Sequence, residues 1–157
     1  MSYDMRIWQE PQAGRVYAIG GDVAEGLAHG DDSVYEVIDV ESGHQVCEIQ
    51  GKIDPITFGE LGYMLGTWYN DALIGIENNK DGGANRVLQR LGYPHIYLQQ
   101  SNSGEPWDKA TPKLGFNMNL KTRFILIAQA RRWMEDGAVL PHSAQLMTQF
   151  ETFVFGN

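Results

Sequence analysis

At 157 residues, with 43% hydrophobic and 11% aromatic side chains, the chain can bury one sizeable core and is expected to form a single domain over residues 1–157. The formal net charge of −8 argues against indiscriminate nucleic-acid binding. The apolar runs are too short to cross a bilayer, Met1-Ser2-Tyr3-Asp4 is no signal sequence, and the single Cys47 excludes an internal disulfide or a thiolate metal cage, so a soluble intracellular protein is expected.

Residues 1–15, with Pro11 and Gly14, read as an irregular lead-in. A strand from about Val16 to Val23 follows, its apolar run closing on Asp22 among glycines. After the turn-rich Gly26–Asp32, two strands over Ser33–Val40 and His44–Gln50 flank the hairpin signal Glu41-Ser42-Gly43, predicting a three-stranded antiparallel meander. Asp54-Pro55 opens a helix whose Phe58, Leu61, Leu65 and Trp68 recur at core spacing, with Gly59, Gly62 and Gly66 available for close packing. That helix delivers the chain to Ala72-Leu73-Ile74-Gly75-Ile76-Glu77, a second apolar run closing on an acid, and the crossover predicts that it lies parallel to an earlier strand. A second helix begins at Asp81-Gly82-Gly83 and stops at Gly92, and His95–Leu98 reads as a fifth strand. The polar stretch Gln99–Asn119 is longer than a simple connection. A long helix over about Leu120–Asp136 is capped by Asn119, Ala138–Leu140 reads as a short edge strand, Ser143–Phe150 as a helix, and Thr152-Phe153-Val154-Phe155 as the start of another strand. Trp68 and Trp133 are expected in the core, and the histidines have no paired metal spacing.

Adjacent parallel strands lie roughly 4.8 Å apart, so acids at their corresponding ends can share divalent ions. Asp22 and Glu77 are the candidates, and an all-oxygen donor set favours Mg2+ or Mn2+ over zinc. Two ions roughly 3.5 to 4 Å apart would activate water and stabilise the leaving oxygen of a phosphodiester. The structural alternative for Asp22 is an acid in a turn, bonded to its own backbone. Charge is divided along the chain: residues 1–60 hold 12 acids and 3 bases, the remainder 8 and 9. Lys109, Lys113, Lys121, Arg123, Arg131 and Arg132 follow one another with no acid between them, a footprint for a polyanion or an ordinary solvated surface. Cations in the first turn of a helix, here Lys121 and Arg123, oppose its dipole unless an anion binds there, and with Lys113 they are candidate contacts to a phosphate backbone. Lys80, shortly after Glu77, is a candidate for neutralising a phosphate or for a surface salt link.

Ile19-Gly20-Gly21-Asp22-Val23-Ala24-Glu25-Gly26, Gly30-Asp31-Asp32-Ser33, Ile76-Glu77-Asn78-Asn79 and Leu114-Gly115-Phe116-Asn117 leading to Lys121-Thr122-Arg123 together resemble the nuclease domain of tailed-phage large terminase subunits. The opening Ile7-Trp8-Gln9-Glu10-Pro11 extends the likeness over nearly the whole chain. The resemblance implies an α/β, ribonuclease-H-like fold with a central mixed sheet flanked by helices. It further implies metal-dependent cutting of concatemeric double-stranded DNA, with Asp22 and Glu77 as the first two catalytic metal-binding acids. The implied partners are DNA, a packaging ATPase domain, a small terminase subunit and a portal, and the implied location is the host cytoplasm. The family's third acid, in a paired-aspartate motif after the strand expected at Glu151-Thr152-Phe153, is absent from this sequence, and so is a Gly-x-x-x-x-Gly-Lys-Ser/Thr loop. The expectation is therefore a truncated nuclease domain without a motor, of weak or no activity, with Glu25, Asp31 or Asp81 as conceivable substitutes. The alternatives are a non-catalytic ribonuclease-H-like scaffold for DNA or a packaging partner, and a phosphate-binding domain of the actin-like or sugar-kinase kind.

Overall fold

A computed structural model of the chain describes residues 1–78, 83–99 and 113–152. Buried and partly exposed side chains alternate strictly along Ser33–Asp39 (β3), the signature of a strand with one face in the core. It pairs antiparallel with Tyr17–Asp22 (β2) on one side and Gln45–Lys52 (β4) on the other, forming the expected meander. Asp54 caps the helix Pro55–Trp68 (α1) by accepting from the Ile56 and Thr57 amides at 3.0 and 3.1 Å. The chain then enters Leu73–Ile76 (β5), which lies parallel to β2 as a crossover requires.

The lead-in differs from expectation. Ser2–Ile7 (β1) is an edge strand, so the five-stranded sheet runs β1-β4-β3-β2-β5. Every residue of β1 is exposed. Its place is set by backbone pairing with β4 and by the Arg6–Glu48 ion pair at 2.8 Å rather than by burial.

The core lies between the sheet and the helix α1. Phe58 stacks on Tyr35 with ring centroids 3.8 Å apart, and the Tyr35 hydroxyl donates to the Phe58 carbonyl at 2.9 Å. Gly62 makes that approach possible, since a Cβ there would stand 2.3 Å from the Tyr35 hydroxyl. The second helix, Gly83–Arg90 (α2), buries Val87 and Leu88 and packs against α1 where Gly59 leaves room for Val87. Trp68, expected in the α1 stripe, is 40% exposed; the covered stripe passes instead through Leu65 to Tyr69, which is fully buried against Tyr17 of β2.

The other face of the sheet carries two different surfaces. Across β3 and β4, Glu36 sits directly opposite Glu48, which is 3% exposed and paired with Arg6. Gln45 donates to Glu36 and accepts from the amides of His142 and Ser143, at 2.6 and 2.8 Å. Across β2 and β5, Ala18, Gly20, Leu73 and Gly75 make a small apolar floor partly roofed by Tyr97, Phe116 and Leu126.

The expected fifth strand is reduced to a single parallel bridge from Ile96 to Ile74; Leu98–Gln99 (β6) pairs instead with Lys113–Leu114 (β7) in a two-stranded ribbon. The expected edge strand at 138–140 is likewise one bridge, Leu140 to His44. The long helix Leu120–Glu135 (α3) is capped by Asn119, as predicted, and the cap is one half of a capping box with Thr122. None of its residues is buried, and Trp133, expected in the core, is 48% exposed for that reason. Thr152, read as the start of a strand, is the last residue of the helix Ala144–Thr152 (α4). Lys80, Asp81, Lys109 and residues 153–157 lie outside the described residues. Among the described residues no helix is long and apolar enough to cross a membrane.

Candidate metal centre

The parallel pairing of β2 with β5 positions the two acids. Gly20 is in register with Gly75 and Gly21 with Ile76, and the Glu77 amide donates to the Gly21 carbonyl at 2.9 Å, carrying the ladder one step further. Asp22 and Glu77 therefore stand at the same level on adjacent strand ends. Side chains alternate between faces along a strand. With Tyr17, Ile19, Ile74 and Ile76 in the core, both acids project from the opposite face.

There they meet. Both line a cleft of ≈ 580 Å³ together with Glu25, Asp31 and Asn85. Partial burial, then the charge of Asp22 and a hydrogen bond with it, raise the Glu77 carboxyl above the ordinary range. Burial and a like charge beside it both disfavour the ionised form, as in a site short of positive charge. Arg123, in the first turn of α3, acts in the other direction and lowers it.

The backbone beneath the pair is fixed from three sides. The Ile76 carbonyl accepts from Phe116 N at 2.9 Å and from Asn85 Nδ2 at 3.3 Å, and Asn78 N donates to the Phe116 carbonyl at 2.6 Å. Gly115 makes this crossing possible: its φ of 78° is left-handed, and a Cβ there would stand 2.3 Å from Asn85 Nδ2. Asn85 is 2% exposed and was not singled out by the sequence, where nothing separates it from any polar residue early in a helix.

The remaining candidates are placed variously. Lys113 opens β7 and Lys121 lies in the first turn of α3, both exposed. Of the three basic candidates among the described residues, Arg123 is the one whose charge reaches Glu77. Asp32 also lines the cleft but is engaged by Lys52 at 2.6 Å and Gln50 at 3.0 Å. Among the described residues no group of three metal-ligating side chains converges. The donor set of the pair, two hard carboxylate oxygens in a polar cleft, suits a small divalent cation: loading one would replace Asp22–Glu77 repulsion with attraction to both.

No protein-family model matches the chain, and no curated protein is similar to it in sequence. Solved structures are similar. The large terminase nuclease of thermophilic phage G20c with bound magnesium superposes with a TM-score of 0.72 at 15% identity, over 95% of this chain and 70% of that one. The same nuclease with bound zinc gives 0.71 at 15% identity over 96% and 78%. The large terminase nuclease domain of Thermus phage P74-26 gives 0.70 at 17% identity over 96% and 68%. With 95–96% of its length superposing on these structures, the chain has the mixed α/β fold seen in phage large terminase nuclease domains.

Proposed function

We propose that this chain is the metal-dependent endonuclease domain of a phage DNA-packaging terminase, cutting concatemeric double-stranded DNA with Asp22 and Glu77 as metal ligands. The observation that carries the reading is the meeting of these two acids at neighbouring parallel strand ends. It is supported by the fold shared with nucleases that, in two of the solved structures, bind magnesium and zinc.

In this reading Asp22 and Glu77 hold Mg2+ or Mn2+, two ions by family resemblance. A bound ion would polarise an attacking water and stabilise the oxygen leaving phosphorus. The chain's own residues do the rest. The ladder from Gly21 to Glu77 sets the spacing of the carboxylates, and the Asn119 cap orients the first turn of α3 so that Lys121 and Arg123 meet the phosphate backbone beside the cleft, with Lys113 on β7 and Lys80 as further contacts. The partners proposed with this function are double-stranded DNA, a packaging ATPase domain, a small terminase subunit and a portal.

A second reading is a non-catalytic scaffold that binds DNA or a packaging partner. In its favour, Asp22 and Glu77 stand without a third converging acid among the described residues. Plasmid nicking in Mn2+ separates the two. Wild-type nicking that Asp22→Asn abolishes supports the nuclease; DNA binding without metal-dependent nicking supports the scaffold.

A further inference from the structure

Asn85 holds an unusual position in the cleft. Its Nδ2 donates to the Ile76 carbonyl, and because a carbonyl only accepts, the amide nitrogen has to face it and the oxygen has to face away. That oxygen is the one buried side-chain polar atom among the described residues without a hydrogen-bond partner. Buried acceptors are almost always paired, because an unpaired one forfeits its hydration for nothing. Asn85 nonetheless sits within the wall shared with Asp22 and Glu77, behind the residue that precedes Glu77.

We propose that Asn85 is a positioning residue of the metal centre, its Oδ1 accepting a hydrogen bond from a water of the divalent ion held by Asp22 and Glu77. The proposal rests on the reading of those acids as ion ligands. Closed to bulk solvent and set in the wall of the cleft, the oxygen is suited to a donor that the loaded site brings with it. A phosphate offers none, since its oxygens are acceptors and the cleft is lined by carboxylates. A metal-bound water is a strong donor because the ion polarises it, and partners of this kind orient what the first ligands hold. The carboxamide is neutral, so it adds orientation without more negative charge.

The test is Mn2+ titration followed by electron paramagnetic resonance of the free ion, with thermal unfolding in chelator measured in parallel, on the wild type, Asp22→Asn, Asn85→Leu, Asn85→Ala and Asn85→Asp. The wild type should bind Mn2+ and Asp22→Asn should not. Asn85→Leu and Asn85→Ala should each weaken binding by about tenfold or more, the usual cost of losing such a partner. Asn85→Asp retains an acceptor oxygen and should leave binding undiminished, although it loses the donor to Ile76. Unchanged affinity in whichever of the Leu and Ala variants folds would overturn the proposal. So would an Asp variant as weak as they are, because the role would then be the anchor at Ile76 and not the oxygen. If Asp22→Asn binds as the wild type does, or neither binds, the acid-pair reading itself falls and this inference falls with it.

Discussion

Two pairs of acids face each other across neighbouring strands on the same side of one sheet, and their surroundings treat them differently. Glu36 and Glu48 sit in mid-sheet, where Arg6 neutralises one and Gln45 bonds the other. Burial first, and then Glu48, push the Glu36 carboxyl up to about 9, so at neutral pH it carries its proton. Asp22 and Glu77 stand at strand ends, where the sheet supplies no facing base and Arg123 acts from the first turn of a helix with no buried residue. The chemical groups are the same. Position along the strand decides whether a pair is closed off by the protein or left for a ligand to complete.

The contrast breaks first at the strand ends. Asp22→Asn should take the weak plasmid nicking expected of the wild type in Mn2+ down to background, while thermal unfolding in chelator stays the same or improves as the repulsion is removed. An inactive variant that is also unfolded would make Asp22 structural. The mid-sheet pair should respond in the opposite sense. Arg6→Met strands Glu48 in the sheet and should cost about 2 kcal/mol in denaturant unfolding, below the usual cost for a buried pair because Arg6 is itself half in water, and should leave Mn2+ binding alone.

The pH response sharpens the difference. The folded-state pKa of Glu36 is raised, so the folded form holds a proton that the unfolded form gives up. The stability this group contributes is fully present below the ordinary glutamate pKa of 4.5 and is lost as pH rises toward about 9. Unfolding midpoints should therefore fall between pH 6 and pH 9, and Glu36→Gln, which keeps a neutral group, should flatten that slope. A slope unchanged in the variant would place the titration elsewhere. The smallest effect is expected at the basic residues: Lys121→Ala should weaken DNA binding several-fold across all sequences and lower the salt dependence by about one counterion.

How much of this was legible in the sequence depended on whether a feature was local. The acid at the end of β2 and the acid at the end of β5 each close an apolar run, and the Asp54-Pro55 helix between them demands a parallel return, so their meeting could be argued from three short stretches. Glu36 and Glu48 gave no such signal. Their pairing depends on a register that shifts between Val37 and Ile38, which no periodicity reveals. β1 was missed because an exposed edge strand buries nothing and so leaves no strong apolar pattern. Trp133 was misplaced because helical spacing identifies a stripe but not whether a neighbouring layer covers it, and Trp68 because the covered stripe of α1 ends on Tyr69 instead. Asn85 became interesting only once the Ile76 carbonyl was seen to take its nitrogen.

The crossover through α1 also bears on the order of assembly. The β2–β3–β4 meander pairs neighbouring segments, whereas β5 reaches β2 across the whole of α1, a non-local contact of the kind that slows folding. A nascent chain that has completed only the meander displays Asp22 alone, and one carboxylate is a poor grip on a hydrated divalent ion. If the pair holds an ion as proposed, chelating power arrives only with a long-range pairing of the sheet, and a partly folded chain lacks it.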